Sequence, residues 1–231
     1  MVSLIWMALS QCGATNMRPS FLLVLELVLF VVGIALIATG IFPFTILLLF
    51  VLAWVSLRVR HLRWRDVGLS HPPNWWVTIG LGLLIGIGYQ ALDTVFIGPL
   101  LQRITGEATN LSQFASLQGN LAALIASLIL TWTEAAFIEE MVFRGYLLNR
   151  LMDLFGTERA GIILALFVHA ALFGLGHTYQ DLTGILDTAL AGFLIGLLYL
   201  RFRRNLWLPI LIHGVIDTTG FLLIYFGLAS S

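Results

Sequence analysis

The sequence predicts an all-α fold, a polytopic transmembrane helical bundle of about seven spans, eight on the widest count. Three observations predict it. The 231 residues are 59% hydrophobic and 10% charged, with a mean hydropathy of +0.97, whereas soluble domains carry about a quarter charged residues. Several apolar runs reach the ~20 residues that a bilayer core demands. The alternating ten-residue segments of a transmembrane β-barrel are absent from the sequence. Formal net charge is zero, so no basic face for nucleic acid is expected. The one cysteine, Cys12, excludes a disulfide within the chain.

The spans follow in order as residues 20–40, 42–57, 75–97, 119–150, 160–178, 183–200 and 205–227. The second is short, and Pro43 marks its start. The fourth is long for a bilayer, so it should tilt or project past one face. Residues 99–118 read as a polar loop carrying a surface helix. Residues 1–19 read as an N-terminal extension, and residues 20–231 as a single membrane-embedded helical domain. "MVSLIWMALSQCGATN" lacks the cationic start of a signal peptide. Met17-Arg18-Pro19 opens the first strong apolar run, which makes Met17 an alternative start.

Arginine sets the orientation, because cytoplasmic loops carry the excess of basic residues. Every basic residue is arginine. Arg18, the group from Arg58 to Arg65, the pair Arg150 and Arg159, and the group from Arg201 to Arg204 fall on one side in the seven-span reading. Arg103 falls on the other. The N-terminus is therefore expected in the cytoplasm and the C-terminus outside.

Within this apolar background the fourth span carries Glu134, Glu139, Glu140 and Arg144. The region of the fifth span holds His169 and ends in His177, and the seventh carries His213 and Asp217. A charge at mid-bilayer costs at least ~2.5–3.5 kcal/mol, so intramembrane ionisable residues point to function. Glu140 and Arg144 are four apart and can pair on one helix face. Glu139 is rotated about 100° away and can face another neighbour. His213 and Asp217 again share a face. The ~1.5 Å helical rise puts Glu139 about 18 Å, His177 about 25 Å, and His213 and Asp217 about 12 and 18 Å from the cytoplasmic helix ends. These overlapping depths allow one internal cavity.

A Glu and a His around a buried water form a general-base pair. A second His, with an acid beside it, can donate hydrogen bonds to a developing oxyanion. Peptide hydrolysis inside the membrane fits this set. The blander readings are assigned to the other polar residues. His169 has no patterned partner and reads as structural. Glu26, Asp93 and Asp187 read as isolated acids at span ends or helix contacts. Glu134 could line the cavity but is not assigned a catalytic part.

Three motifs carry a resemblance to a known family. "EEMVFR" (Glu139 to Arg144) fits an EExxxR pattern, "FGLGH" (Phe173 to His177) fits FxxxH, and "HGVID" (His213 to Asp217) fits HxxxN/D. In this order, on three membrane helices, they resemble the CAAX prenyl protease and bacteriocin-processing family, also called CPBP or Abi, over roughly residues 120–225. The resemblance implies an intramembrane glutamate protease with no required cofactor. Glu139 would be the general base and would work with His177. His213 and Asp217 would form the oxyanion site, with Glu140 and Arg144 as the supporting pair and Phe173 packed beneath His177. Asp217 stands where prenyl-protein proteases commonly have Asn. An ionised Asp only accepts hydrogen bonds, so its preferred role is to orient His213.

The family has been described as metalloproteases, but HExxH is absent here. A Glu/His/His/Asp zinc site stays open as the alternative to a metal-free mechanism. The expected partners are the lipid bilayer and a peptide or membrane-protein substrate, entering laterally or from the cytoplasm. The expected location is a bacterial inner membrane. Two other functions compete. One is a non-proteolytic scaffold or immunity-type protein of the same fold. The other is a proton pathway, against which the lack of repeated architecture argues.

Overall fold

In the computed structural model, which describes residues 21–40 and 45–229, the chain is helical and no strand occurs among the described residues. We number the main helices α1 (Phe21–Ala38), α2 (Thr45–Val59), α3 (Trp75–Thr105), α4 (Leu121–Phe155), α5 (Arg159–Leu175), α6 (Asp181–Arg201) and α7 (Trp207–Tyr225). Helices α1, α3, α4, α7 and the segment Thr178–Arg201 containing α6 are long and apolar enough to cross a membrane. Helices α2 and α5 are apolar but shorter, at 15 and 17 residues. These seven helices coincide with the seven runs read from the sequence, and five meet the length of a crossing. Pro43, Cys12 and the extension 1–19 lie outside the described residues.

The helix boundaries have local causes. Asn74 and Asn120 cap α3 and α4 by accepting from the backbone N–H groups of Val77 and Ala123 at 3.2 and 3.1 Å, which satisfies donors that the first turn leaves free. Gly106 ends α3 in the left-handed conformation, with φ of 84°. Sequence reasoning stopped the third span at residue 97, ahead of Pro99. The helix instead runs on to Thr105 through a wide π turn at Asp93–Ile97. Proline lacks an N–H and clashes with the preceding turn. A π turn beside it accommodates both within a continuous helix. The polar segment that follows holds one short 3₁₀ turn, Ser112–Leu117.

One side of each helix faces inward. In α1, Leu23, Leu27, Phe30 and Ile34 are buried, while Val24, Val28, Val31 and Val32 are exposed. So large an exposed apolar face is unusual on a soluble protein, and here it is the surface presented to lipid. The protein is an integral membrane protein. Small residues bring helices close together. A Cβ on Gly86 of α3 would lie 2.7 Å from Val215 of α7, a close approach typical of membrane helix pairs.

Two polar layers define opposite ends of the bundle. At one end, Tyr199 donates to the Val67 carbonyl at 2.8 Å, Arg204 to Asn149 at 3.1 Å, and Asn205 to the Ser70 carbonyl at 3.0 Å. At the other end, the Asn110 N–H donates to Gln180 at 3.1 Å, the Leu182 N–H to Glu107 at 3.0 Å, and the Thr178 hydroxyl to the Ala38 carbonyl at 2.8 Å. The arginines that follow α2 and α6 belong to the first end.

Glu26 is not the isolated acid expected from sequence. It accepts from Arg60 at 2.6 Å and from the Tyr146 hydroxyl at 3.1 Å, and Arg60 also donates to Ser56 at 2.7 Å. This network ties α1 and α2 to α4, where Tyr146 stacks on Phe30. Tyr146→Phe removes a buried hydrogen bond to a charged acceptor, worth about 1.5–3 kcal/mol. The expected result is a lower thermal midpoint in detergent with the activity of the folded fraction unchanged.

Candidate active site

The polar stretch of α4 leaves the regular α register. Residues Thr131–Glu139 and Met141–Leu147 form wide π turns, and Glu140 sits between them. Such turns are frequent at functional sites. The two adjacent acids point to different surroundings. Glu140 is fully buried against the bundle interior, whereas Glu139 faces a cavity of about 170 Å³.

Glu140 and Arg144 form an ion pair at 2.7 Å, and both side chains are inaccessible to solvent. The same oxygen of Glu140 takes the Nδ1–H of His213 at 2.8 Å. Arg144 also donates to the Gly192 carbonyl at 3.4 Å, and its guanidinium lies 4.3 Å from the centre of the Phe173 ring, a favourable cation–π placement. Gly192 matters sterically, because a Cβ there would sit 2.9 Å from Phe173. Glu140, Arg144, His213 and Phe173 are thus locked together across α4, α5, α6 and α7.

Phe173 is the hub of the site. Its ring centre is 5.1 Å from that of His177 and 5.9 Å from that of His213. The Phe173 carbonyl accepts from His177 Nδ1 at 2.9 Å. A carbonyl cannot donate, so Nδ1 carries the proton and the neutral ring has its lone pair on Nε2. His177 lies at the turn after α5, and it lines the cavity together with Glu139. The other walls are Ile37, Gly40, Ile46, Phe143 and Tyr179, with Glu134 also present. One carboxylate oxygen of Glu139 is buried without a hydrogen-bond partner among the described residues.

His213 Nε2 faces Asp217 at 3.6 Å. This is an ion-pair separation, too long for a hydrogen bond. Glu140, rather than Asp217, therefore makes the short contact that fixes the His213 ring. Glu139 lies within electrostatic reach of His213, Asp217, Glu140 and Arg144. The structure thus gathers Glu139, His177, His213 and Asp217 in one neighbourhood, though His213 and Asp217 are not in the cavity wall. No three His, Cys, Asp or Glu side chains converge as a metal-holding group among the described residues. The four candidate zinc ligands do not converge as such a group.

Sequence reasoning missed the wall formed by α1 and α2, the Glu140–His213 bond and the place of Tyr179. Tyr179 packs at 5.7 Å from His177, and no spacing marks it. His169 is fully buried, with neither ring nitrogen hydrogen-bonded among the described residues. It packs edge-on against Phe143, outside the cavity wall. Asp187 accepts from the Tyr89 hydroxyl at 2.9 Å, a contact between α3 and α6.

The fold and site define a class: a helical membrane protein with a buried glutamate–histidine cavity. Residues 120–219 match the family model described as Rce1-like, type II CAAX prenyl endopeptidase. This segment, which carries all three motifs, is thus similar to the CAAX prenyl protease family. No curated protein and no solved structure matches the chain.

Proposed function

We propose that the protein is an intramembrane endopeptidase that cleaves a peptide or membrane-protein substrate with a water activated by Glu139 and His177. The observation that carries this reading is the shared cavity. Glu139 and His177 line the same small space, and the neutral His177 ring keeps its lone pair on Nε2.

The water donates one O–H to Glu139 and the other to His177 Nε2. Its oxygen attacks the scissile carbonyl carbon while its proton passes to the Glu139 carboxylate. The carbonyl oxygen becomes an oxyanion. His213 holds Nδ1–H against Glu140, so Nε2 is the atom left to serve the oxyanion, and as an N–H it donates. Asp217 lies beside it at ion-pair distance and keeps the ring between two carboxylates. Collapse of the intermediate breaks the C–N bond, and Glu139 returns the proton to the leaving amine. Glu140 and Arg144 hold the His213 side of the site and touch no reacting atom. In this reading the seven helices all cross a bacterial inner membrane, with the N-terminus in the cytoplasm and the C-terminus outside.

The test is hydrolysis of a pool of peptides and membrane-protein tails by the purified chain. His177→Ala is expected to abolish cleavage. His213→Ala is expected to lose about 10²–10³-fold in kcat, the usual cost of an oxyanion donor. Asp217→Asn, at a position with no hydrogen bond to break, is expected to stay within about tenfold, or ~1.4 kcal/mol. Equal losses in His213→Ala and Asp217→Asn would contradict these roles. Folded wild type that cleaves nothing but captures a membrane partner would support the scaffold reading instead.

A further inference from the structure

The cavity has a defined side. Its walls come from the end of α1 (Ile37, Gly40), the start of α2 (Ile46) and the turn after α5 (Gly176, His177, Tyr179). All of these belong to the polar layer joined by the Thr178–Ala38 and Asn110–Gln180 hydrogen bonds. Tyr179 is 43% exposed at this end and stands against Phe114 of the loop between α3 and α4. The arginine-rich segments lie at the opposite end, where Val67 and Ser70 are joined to Tyr199 and Asn205. Arg58 lies in the last turn of α2 there, Arg63 and Arg65 follow it, and Arg203 and Arg204 follow α6. Along α5 the distance from Arg159 to Leu175 is about 24 Å, most of a bilayer core.

Arginine-rich ends stay in the cytoplasm. We infer that the cavity holding Glu139 and His177 opens on the non-cytoplasmic face, and that its substrates are extracytoplasmic peptide segments. These are exported peptides or the outward-facing, membrane-proximal tails of membrane proteins. A cytoplasmic C-terminal tail would meet the arginine-rich end, across the membrane from the cavity mouth. Of the two entry routes expected from sequence, lateral and cytoplasmic, this placement disfavours the cytoplasmic one. The substrate class rests on the hydrolytic reading above; the sidedness rests on arginine placement and cavity position alone.

The experiment separates the two. Cys12→Ser provides a cysteine-free background, in which Tyr179→Cys marks the cavity, Ser112→Cys the adjacent loop and Ser70→Cys the arginine-rich end. A membrane-impermeant maleimide applied to intact cells is expected to label Tyr179→Cys and Ser112→Cys, and to label Ser70→Cys only after permeabilisation. The opposite pattern overturns the inference. The Cys12→Ser chain is then placed in right-side-out and inside-out vesicles and given the peptide pool from outside. Cleavage by right-side-out vesicles alone is expected, and cleavage by inside-out vesicles alone overturns the assignment. Outward labelling with cleavage in neither orientation upholds the sidedness, and overturns the substrate class together with the hydrolytic reading.

Discussion

Glu139→Gln is expected to lower the rate of peptide hydrolysis by about 10²–10⁴-fold, the usual contribution of a positioned general base. The substitution keeps the shape of the side chain and removes its ability to take a proton. Glu139 makes no ion pair among the described residues, and the residue lines a cavity. The folded chain should therefore lose little stability. Comparing kcat with the thermal midpoint checks this, since a purely structural Glu139 would move both together or neither.

Arg144→Ala is expected to behave in the opposite way. Arg144 is fully buried, and its guanidinium bonds Glu140, reaches the Gly192 carbonyl and covers Phe173. Its removal strands a buried carboxylate and opens a void beneath the Phe173 ring. Breaking one half of a buried pair costs about 3–5 kcal/mol, a large part of the stability of a typical domain. The expected outcome is a lowered yield of folded protein and a depressed thermal midpoint, with activity lost in proportion. Arg144→Lys should recover only part of this, because a lysine ammonium cannot reproduce the guanidinium fork or its planar contact with Phe173. Glu140→Gln should uncouple the two effects. It keeps an acceptor for Arg144 and His213 but removes the charge, so a fall in kcat exceeding the fall in stability would reveal its hold on His213.

Much of the fold was legible because a bilayer imposes one rule, internal satisfaction of the backbone, and length then marks the helices. The starts near residues 75 and 119 and the projecting length of α4 follow from that rule, whereas the Asn74 and Asn120 caps came only with the structure. The continuation of α3 past Pro99 did not, because proline usually ends a helix and only the π turn at Asp93–Ile97 lets it pass. In the site, the i,i+4 spacing announced the Glu140–Arg144 pair. It could not announce that Glu140 also takes His213, a contact made across 73 residues of sequence. The separation of Glu139 from Glu140 was readable from helical rotation. The cavity that receives Glu139 was not, since Ile37, Gly40 and Ile46 are ordinary apolar-span residues. They lie in or at the ends of α1 and α2, which the Glu26–Arg60–Tyr146 network joins to α4. Those first two helices lie outside residues 120–219, so the shared motifs say nothing about this wall.

The central question is whether the carboxylate of Glu139 performs the hydrolysis. The decisive measurement is cleavage of the same peptide pool by purified wild type and Glu139→Gln, each with and without a metal chelator, with folding verified for both. Wild type is expected to cleave with the chelator present, and Glu139→Gln is expected not to cleave. Cleavage retained by Glu139→Gln, or abolished in wild type by the chelator, would contradict this expectation.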